Sequence, residues 1–313
     1  MMQYASNLQK LLTNKCFVIT AEVSSPDAST HSTLIQRLAH LKNSCDAVNA
    51  TDASGAHCHI SSVAVSKIML DNGIEPILQI SCRDRNRIAI QGDVVGAHAL
   101  GIRNILCLTG DGVETGDHPE AIAVFDLDSI TLLQTISHLK NKGAFLSGRK
   151  LENQPDLFLG AASNPFAPPF DFRPFRLKKK IDAGCQFIQT QYCFDIPRLK
   201  KFMGTVRDLG LDKQCYILVG VGPLKSASTA EWITKNIPGV VIPDETIGIL
   251  RRTPTEFQLQ EGKKICIDII NQVRSIKGIA GVHLMAYLLD HTVPEIIAES
   301  VLNKEIQSRQ LAG

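Results

Sequence analysis

The sequence lacks a strong charge of either sign. Its 313 residues contain 33 Lys and Arg against 31 Asp and Glu, so the formal net charge is only +2. A charge balance of this kind produces no field that would draw in a polyanion or an anionic membrane surface. We therefore expect small-molecule partners and no binding of nucleic acid.

Long apolar runs are also missing. No stretch of about 18 consecutive apolar residues occurs, which is the length that a membrane-spanning helix needs. The first residues, MMQYASNLQKLLTNK, contain no basic segment followed by an apolar one, as a signal peptide would. These absences predict a cytoplasmic protein without a membrane span.

Closely spaced cysteine pairs are absent as well. The nine cysteines are scattered singly, without a Cys-x-x-Cys motif, which is typical of thiols buried in a reducing compartment. The segment His57-Cys58-His59 has residue types that bind zinc, but no second His/Cys pair has a comparable spacing. We expect no metal site and place this segment at the start of a helix.

What the sequence does contain is an alternation of short β-rich runs with stretches of helical apolar spacing. This alternation predicts a parallel sheet. The strands are predicted at 17–25, 47–51, 76–82, 104–108, 158–162, 187–192, 216–221 and 282–287, and the clearest helices at 32–41, 60–70, 129–139 and 265–276.

Glycine follows the predicted helices at regular places. A glycine just beyond a helix end adopts the left-handed conformation that other residues resist. Eight βα units without a Pro/Ser-rich linker predict a single (β/α)8 TIM barrel domain over residues 1–313. An open doubly wound sheet is the alternative, but no Gly-x-Gly-x-x-Gly follows the first strand. The glycines are Gly73, Gly101, Gly143, Gly184, Gly210 and Gly278.

Three segments carry a resemblance to a known family. They are GIEPILQISCRDRNRIAIQ (73–91), LGIRNILCLTGDGVETGDHP (100–119) and LKKKIDAGCQFIQTQYCFD (177–195). In order and spacing they resemble methylenetetrahydrofolate reductases, and the similarity extends over about residues 17–287. The resemblance implies a flavin at the carboxyl ends of the barrel strands, FAD by default with FMN as the alternative. It also implies reduction of 5,10-methylenetetrahydrofolate to 5-methyltetrahydrofolate.

The resemblance assigns roles to polar residues that end the predicted strands. Glu22 corresponds to the general acid that protonates N10 of the folate, so that an iminium cation at N5 accepts a hydride. Asp111 would favour that cation and contact both pterin and flavin, and Gln191 would bind the pterin. From the residues alone, Glu22 also suits an ion pair, Asp111 a Gly-Asp turn, and Gln191 an exposed strand end.

The resemblance also implies a set of flavin contacts. Lys180 corresponds to a lysine at the flavin pyrophosphate, although Lys178–Lys180 alone would be read as a solvated helix face. The expected cofactor-binding residues are Thr51, Asp52, Ser54, Gln79, Thr109, Gly110, Asp111, Phe125, Ser163, Arg176, Lys179 and Lys180.

The chain departs from the family pattern on the side of the electron donor. Thr109 and Leu289 replace expected arginines, and Thr229 lies in a segment, GVGPLKSASTAEWI, that resembles a dinucleotide-binding stretch. We expect Thr229 among the substrate-binding residues. The donor stays open between NAD(P)H and an electron-transfer partner subunit, and we expect an oligomer.

Two other functions are compatible with the sequence. One is a folate-binding barrel that transfers a methyl group to a corrinoid protein without flavin, and the other is a non-catalytic subunit of a redox complex. His283, in the last predicted strand, is compatible with a place at the barrel mouth or with a buried structural role.

Overall fold

Parallel strands close into a barrel, as the sequence predicts. The computed structural model describes residues 4–237 and 239–312. Within these residues eight strands pair in sequence order, and the last strand pairs with the first. The predicted TIM barrel is therefore confirmed. The strands are β1 (Val18–Val23), β2 (Ala47–Ala50), β3 (Pro76–Ser81), β4 (Asn104–Leu108), β5 (Phe158–Ser163), β6 (Phe187–Tyr192), β7 (Tyr216–Val221) and β8 (Ile279–Leu284).

Helices connect successive strands around the outside of the barrel. One helix precedes β1, and the connection from β7 to β8 contains three helices. No helix in the described ranges combines the length and apolar character needed to cross a membrane. The helices are α1 (Asn7–Thr13), α2 (Ser32–Leu41), α3 (Ser62–Asp71), α4 (Arg87–Ala99), α5 (Ser129–Lys142), α6 (Arg173–Asp182), α7 (Ile196–Asp208), α8 (Ala227–Asn236), α9 (Asp244–Arg252), α10 (Gln258–Arg274), α11 (Val293–Glu299) and α12 (Leu302–Ala312).

The helices pack on the strands through one apolar face each. In α2 the buried side chains are Leu34, Leu38 and Leu41, whose spacing places them on one side of the helix. They belong to the same core cluster as Ile19 of β1. Burying a leucine side chain contributes about 1.5–3 kcal/mol, so this outer layer gives the strands a rigid frame.

The amino-terminal end of the barrel is closed. Leu8 and Leu12 of α1 are fully buried there, and the rings of Phe158 and Phe187 stack with centroids 4.9 Å apart. Gly160 makes this stack possible, because a Cβ at that position would lie 2.3 Å from the Phe187 ring. The inward side chains that pack with Leu8 and Leu12 are Val18, Ala47, Ile77, Leu106, Phe158, Phe187 and Leu218.

Glu75 attaches α1 to the barrel. Its carboxylate accepts hydrogen bonds from the backbone N–H groups of Asn7, at 3.0 Å, and Leu8, at 2.8 Å, in the first turn of the helix. The side-chain amide of Asn104 donates a third hydrogen bond at 2.9 Å. Burial raises the pKa of Glu75, although these hydrogen bonds oppose the shift.

The boundaries of the last strand differ from the prediction. The sequence predicts a strand over 282–287, whereas β8 is Ile279–Leu284. The prediction was wrong because Met285 and Ala286, beyond the strand, are also buried and extend the apolar run. The strand begins directly after Gly278, so the glycine was the better boundary signal.

Candidate functional site

A cavity of about 330 Å³ lies at the carboxyl ends of the strands. Its lining combines side chains from every strand except β7 with side chains from α6. The structure thus brings together six of the residues expected from the sequence, which are Glu22, Gln79, Ser163, Arg176, Lys180 and Gln191.

One wall of the cavity is positively charged. Lys180 of α6 is only 8% exposed, and its Nζ donates a hydrogen bond to the carbonyl of Ala162 at 2.5 Å. Removal from water lowers the pKa of Lys180. Arg173 and Arg176 line the same wall. Within the described part of the chain none of these three cations forms an ion pair, so the wall suits an anionic group.

Glu22 provides the carboxylate of the cavity. Its side chain, at the end of β1, is 24% exposed, and Oε2 lies 3.8 Å from Nε2 of His283. Tyr192 stands nearby with its hydroxyl donated to the carbonyl of Met285 at 2.7 Å. Burial, aided by the charge of Glu22, raises the pKa of Tyr192, which is therefore a neutral phenol.

Polar side chains form a buried network beneath Glu22. The amides of Asn49 and Gln189 exchange hydrogen bonds of 2.6 and 3.0 Å. Nδ1 of His283 lies 3.1 Å from the hydroxyl of Thr20 and 3.2 Å from Nε2 of Gln189. We call these four residues the floor tetrad. Sequence reasoning did not select Thr20, Asn49 or Gln189, although their inward positions within apolar strands were a usable signal.

Expected cofactor residues after β2 are bonded within the protein. Asp52 accepts a hydrogen bond from the backbone N–H of Ser81 at 2.7 Å and from the hydroxyl of Ser62 at 3.1 Å, and it pairs with Arg85. The hydroxyl of Thr51 accepts a hydrogen bond from the backbone N–H of Ser25 at 3.2 Å. Thr51, Asp52 and the exposed Ser54 lie outside the cavity lining.

The residues after β4 lie on the rim of the barrel. Thr109 accepts a hydrogen bond from the backbone N–H of Ser129 at 3.1 Å. Gly110 has φ +94°, a conformation that favours glycine, and a Cβ there would be in tight contact with Cβ of Arg83, at 3.0 Å. Asp111 is exposed on this rim and does not line the cavity. Phe125 is 40% exposed at the end of the same loop.

The remaining expected residues are peripheral. Lys179 is exposed, with Nζ 5.7 Å from the ring centroid of Phe172. Thr229 lies in the first turn of α8, where its hydroxyl is 3.0 Å from that of Ser226. Neither lines the cavity, and their functional roles stay predictions.

The His57-Cys58-His59 segment lies on the surface. The rings of His57 and His59 stack with centroids 6.3 Å apart, and His59 pairs with Asp27. Over residues 4–237 and 239–312 no group of three or more His, Cys, Asp or Glu side chains is arranged to hold a metal ion.

Solved structures with a similar fold include two barrels that match nearly all of this chain. One is an uncharacterized protein from Clostridium thermocellum that binds two copies of 5-methyl-5,6,7,8-tetrahydrofolic acid. It has a TM-score of 0.63 and 14% identity, and the match covers 98% of this chain and 100% of that one. The other is EDTA monooxygenase (EmoA) from Chelativorans sp. BNC1, with a TM-score of 0.56, 11% identity and 94% of both chains covered. At these identities the similarity shows the fold alone.

Sequence relatives are more informative. The chain is 24% identical over 280 residues to the 5,10-methylenetetrahydrofolate reductase of Pectobacterium carotovorum, with 83% of each chain covered. It is also 24% identical over 245 residues to a probable methylenetetrahydrofolate reductase (NADPH) of Caenorhabditis elegans, which covers 76% of this chain and 34% of the relative. The chain thus spans about a third of the length of that relative. The family model for methylenetetrahydrofolate reductase matches residues 7–301, and the chain therefore belongs to the methylenetetrahydrofolate reductase family.

Proposed function

We propose that this protein reduces 5,10-methylenetetrahydrofolate to 5-methyltetrahydrofolate with the help of bound FAD. The observation that carries the proposal is one cavity lined both by the carboxyl of Glu22 and by three cations that bond to backbone carbonyls or to no described carboxylate. A proton donor and an anion-binding wall are the two components that a folate reductase requires from its protein. Family membership supports the same reaction.

The residues present fit a flavin nucleotide. The buried ammonium of Lys180 has a carbonyl oxygen as its hydrogen-bond acceptor, and Arg176 and Ser163 line the cavity beside it. Phosphate oxygens are strong hydrogen-bond acceptors for ammonium and guanidinium groups. A pyrophosphate has two phosphates, so it can bind several of these cations at once. We infer that Lys180, Arg173 and Arg176 hold the pyrophosphate of FAD. When bound and reduced, the flavin supplies the hydride.

Glu22 is the proposed proton donor. The five-membered ring of methylenetetrahydrofolate opens when N10 receives a proton, which leaves the cation at N5 that accepts the hydride. Among the residues that line the cavity Glu22 is the acidic one, and its position at the end of β1 exposes it to a bound folate. Transfer of its proton to N10 leaves a carboxylate in the cavity, which must be reprotonated before the next cycle.

Gln191 and Asp111 are proposed to place the pterin. The amide of Gln191 lines the cavity and offers both a donor and an acceptor to the pterin edge. Asp111 on the rim contributes a negative charge that favours the developing cation. The electrons reach the flavin from NAD(P)H or from a partner redox protein.

A methyl-transferring folate protein without flavin is the second candidate. The Clostridium thermocellum structure binds two copies of a methylated folate. In this chain Thr51, Asp52 and Thr109, three of the expected flavin contacts, are satisfied by partners within the protein. A folate barrel that passes a methyl group to a corrinoid protein would also accommodate these features.

Anaerobic half-reactions test the proposal. We expect purified protein to be yellow, or to become so with added FAD, to bleach on reduction and to be reoxidised by methylenetetrahydrofolate. Glu22→Gln should slow reoxidation by about 10²–10⁴-fold, the usual contribution of a general acid, and leave flavin reduction unchanged. Glu152→Gln, an exposed change between α5 and β5, is the matched control. Equal slowing of both steps by Glu22→Gln would contradict its role, and a colourless protein that fails to bind FAD would favour the methyl-transferring alternative.

A further inference from the structure

We propose that His283 is a positioning residue that makes Glu22 a stronger acid, and that the floor tetrad fixes the imidazole in the tautomer this requires. The inference rests on the proposed function, because it assigns Glu22 the proton that N10 receives. His283 is only 3% exposed and lies at an inward position of β8. Its Nε2 is 3.8 Å from Oε2 of Glu22.

The hydrogen bonds of the tetrad favour one position for the proton on the ring. Gln189 Oε1 accepts from Asn49 and Gln189 Nε2 donates back to Asn49, which leaves one further N–H on Gln189. This N–H donates to the hydroxyl oxygen of Thr20 at 3.2 Å. The hydroxyl of Thr20 has two acceptors within reach, Nδ1 of His283 at 3.1 Å and the carbonyl of Val282 at 3.3 Å, and we infer that it donates to the nearer Nδ1. A neutral imidazole that accepts at Nδ1 carries its hydrogen on Nε2, which faces Glu22.

The charged state of His283 gives the same result. In the imidazolium, Nδ1–H donates to the hydroxyl oxygen of Thr20, at 3.1 Å, and Nε2–H again points towards Glu22. Both forms therefore offer a donor to the carboxylate that remains once N10 has been protonated. A distance of 3.8 Å exceeds a hydrogen bond. We expect a small rotation of the carboxylate to shorten it when folate binds, as catalytic hydrogen bonds often do.

Other ionisable groups surround the pair and define its electrostatics. Tyr192 on β6 is neutral, and burial raises the pKa of Asp290, which follows β8 and interacts electrostatically with Glu22. On α2, Arg37 and His40 face Asp290. The cations on α6 line the opposite wall, and they are Lys180, Arg173 and Arg176. Among these groups the imidazole is placed to donate to Glu22 directly, which stabilises its carboxylate and strengthens the acid.

Nitrogen NMR of histidine-labelled protein tests the pairing without turnover. We expect ¹⁵N shifts of His283 that show hydrogen on Nε2 in the neutral form. Glu22→Gln should move the ¹⁵N resonance of Nε2 of His283, because the negatively charged partner of that nitrogen is removed. Asp27→Asn is the control, since it should affect His59, its partner, and leave His283 unchanged. Hydrogen on Nδ1, or an unchanged Nε2 resonance of His283 in Glu22→Gln, would overturn the proposal.

Half-reaction kinetics test whether His283 assists proton donation by Glu22. His283→Asn should slow the folate half-reaction about tenfold or more while flavin reduction and flavin affinity stay unchanged. The pH at which the rate of the folate half-reaction falls should be higher in the variant than in the wild type, because the carboxylate that the acid leaves is less stabilised. His283→Gln, whose amide can place an N–H near the same point, should recover part of the rate. Equal loss in both half-reactions without a shifted pH profile would show a merely structural role and overturn the proposal.

The two hypotheses fail in different ways. If the wild-type protein does not reduce methylenetetrahydrofolate, the proposed function fails, whereas the NMR comparison still decides whether His283 and Glu22 interact. If His283→Asn does not fold, the NMR spectra of the wild type and Glu22→Gln decide the proposal alone, since Glu22 is part of the open cavity lining.

Discussion

Lys180 shows at the scale of one residue how burial and charge point to a ligand. An ammonium group loses favourable hydration when it is buried, and paired carboxylates normally compensate. Lys180 is 8% exposed and has the carbonyl of Ala162 as acceptor. A carbonyl oxygen compensates only partly, which agrees with the lowered pKa of Lys180. An anionic group bound in the cavity would compensate for the remaining cost of burying the ammonium group.

Replacement of this lysine gives a direct prediction. Lys180→Met should weaken binding of added FAD by about 10–100-fold, the range expected for loss of one charge-assisted hydrogen bond. Lys178→Met is the matched control, because Lys178 is on the same helix but exposed and paired with Asp182. Fluorescence titration of flavin-free protein measures both affinities. Equal affinities of the two variants would show that Lys180 does not contact the cofactor.

Individual site residues were predictable from the sequence to different degrees. Glu22, Gln191 and Lys180 could be selected because strand ends are local features and the resemblance assigned their roles. The partners of Asp52 could not be foreseen, because Arg85 lies 33 positions further along the chain and approaches only when β2 and β3 pair. The floor tetrad likewise requires closure of β1, β2, β6 and β8 into one barrel.

At the scale of elements, α1 acts as the closure of the barrel. Its two buried leucines fill the amino-terminal end, and Glu75 accepts hydrogen bonds from the N–H groups of its first turn. A carboxylate is a favourable partner at that end of a helix because the helix dipole is positive there.

The pH dependence of stability follows from Glu75. Its pKa is raised in the folded state, so the folded protein binds the proton more tightly than the unfolded chain does. The contribution of Glu75 to the free energy of unfolding is fully present below the pKa of the unfolded chain, about 4.3. It is lost as the pH rises through the higher pKa of the folded state. Glu75→Gln should lack this loss, so wild-type protein should lose stability relative to the variant over that range. Urea unfolding of both proteins at several pH values measures the difference, and a constant difference would contradict the assignment.

Elements could be predicted where periodicity and glycine agree. Strands β4, β6 and β7 match the predicted ranges, and Gly143 ends α5 with φ 57°, as its left-handed role requires. The connection from β7 to β8 was less clear, because one predicted helix over 265–276 corresponds to part of α10, and α8 and α9 were not foreseen. Each of these two helices buries only two apolar side chains, so few positions mark its buried face.

At the scale of the whole molecule, the reactivity of the cysteine thiols can show whether the barrel unfolds as one cooperative unit. All nine cysteines lie among the described residues and are free, with Cys58 exposed, two half-buried and six buried in different parts of the barrel. Burial raises the pKa of the Cys82 and Cys193 thiols to about 12. Reactive thiolate is therefore available mainly at Cys58.

Thiol labelling tests the proposal that residues 1–313 form one domain. Under native conditions a thiol reagent should label one cysteine rapidly, and Cys58→Ser should abolish that fast phase. The six buried thiols should then react together at the rate of global unfolding, because one closed barrel opens as a unit. Mass spectrometry of quenched samples follows each site. Early labelling of a subset of the buried thiols would indicate an independently opening part.

The closed amino-terminal end of the barrel has a consequence for the movement of ligands. Leu8, Leu12 and the stacked Phe158 and Phe187 block the amino-terminal end, so the barrel is a cup rather than a tunnel. Whatever enters at the carboxyl face must leave by the same route. Under the proposed function, the oxidised electron donor would have to dissociate before folate could bind next to Glu22. Because both would use the same entrance, the two half-reactions would take place in a fixed order.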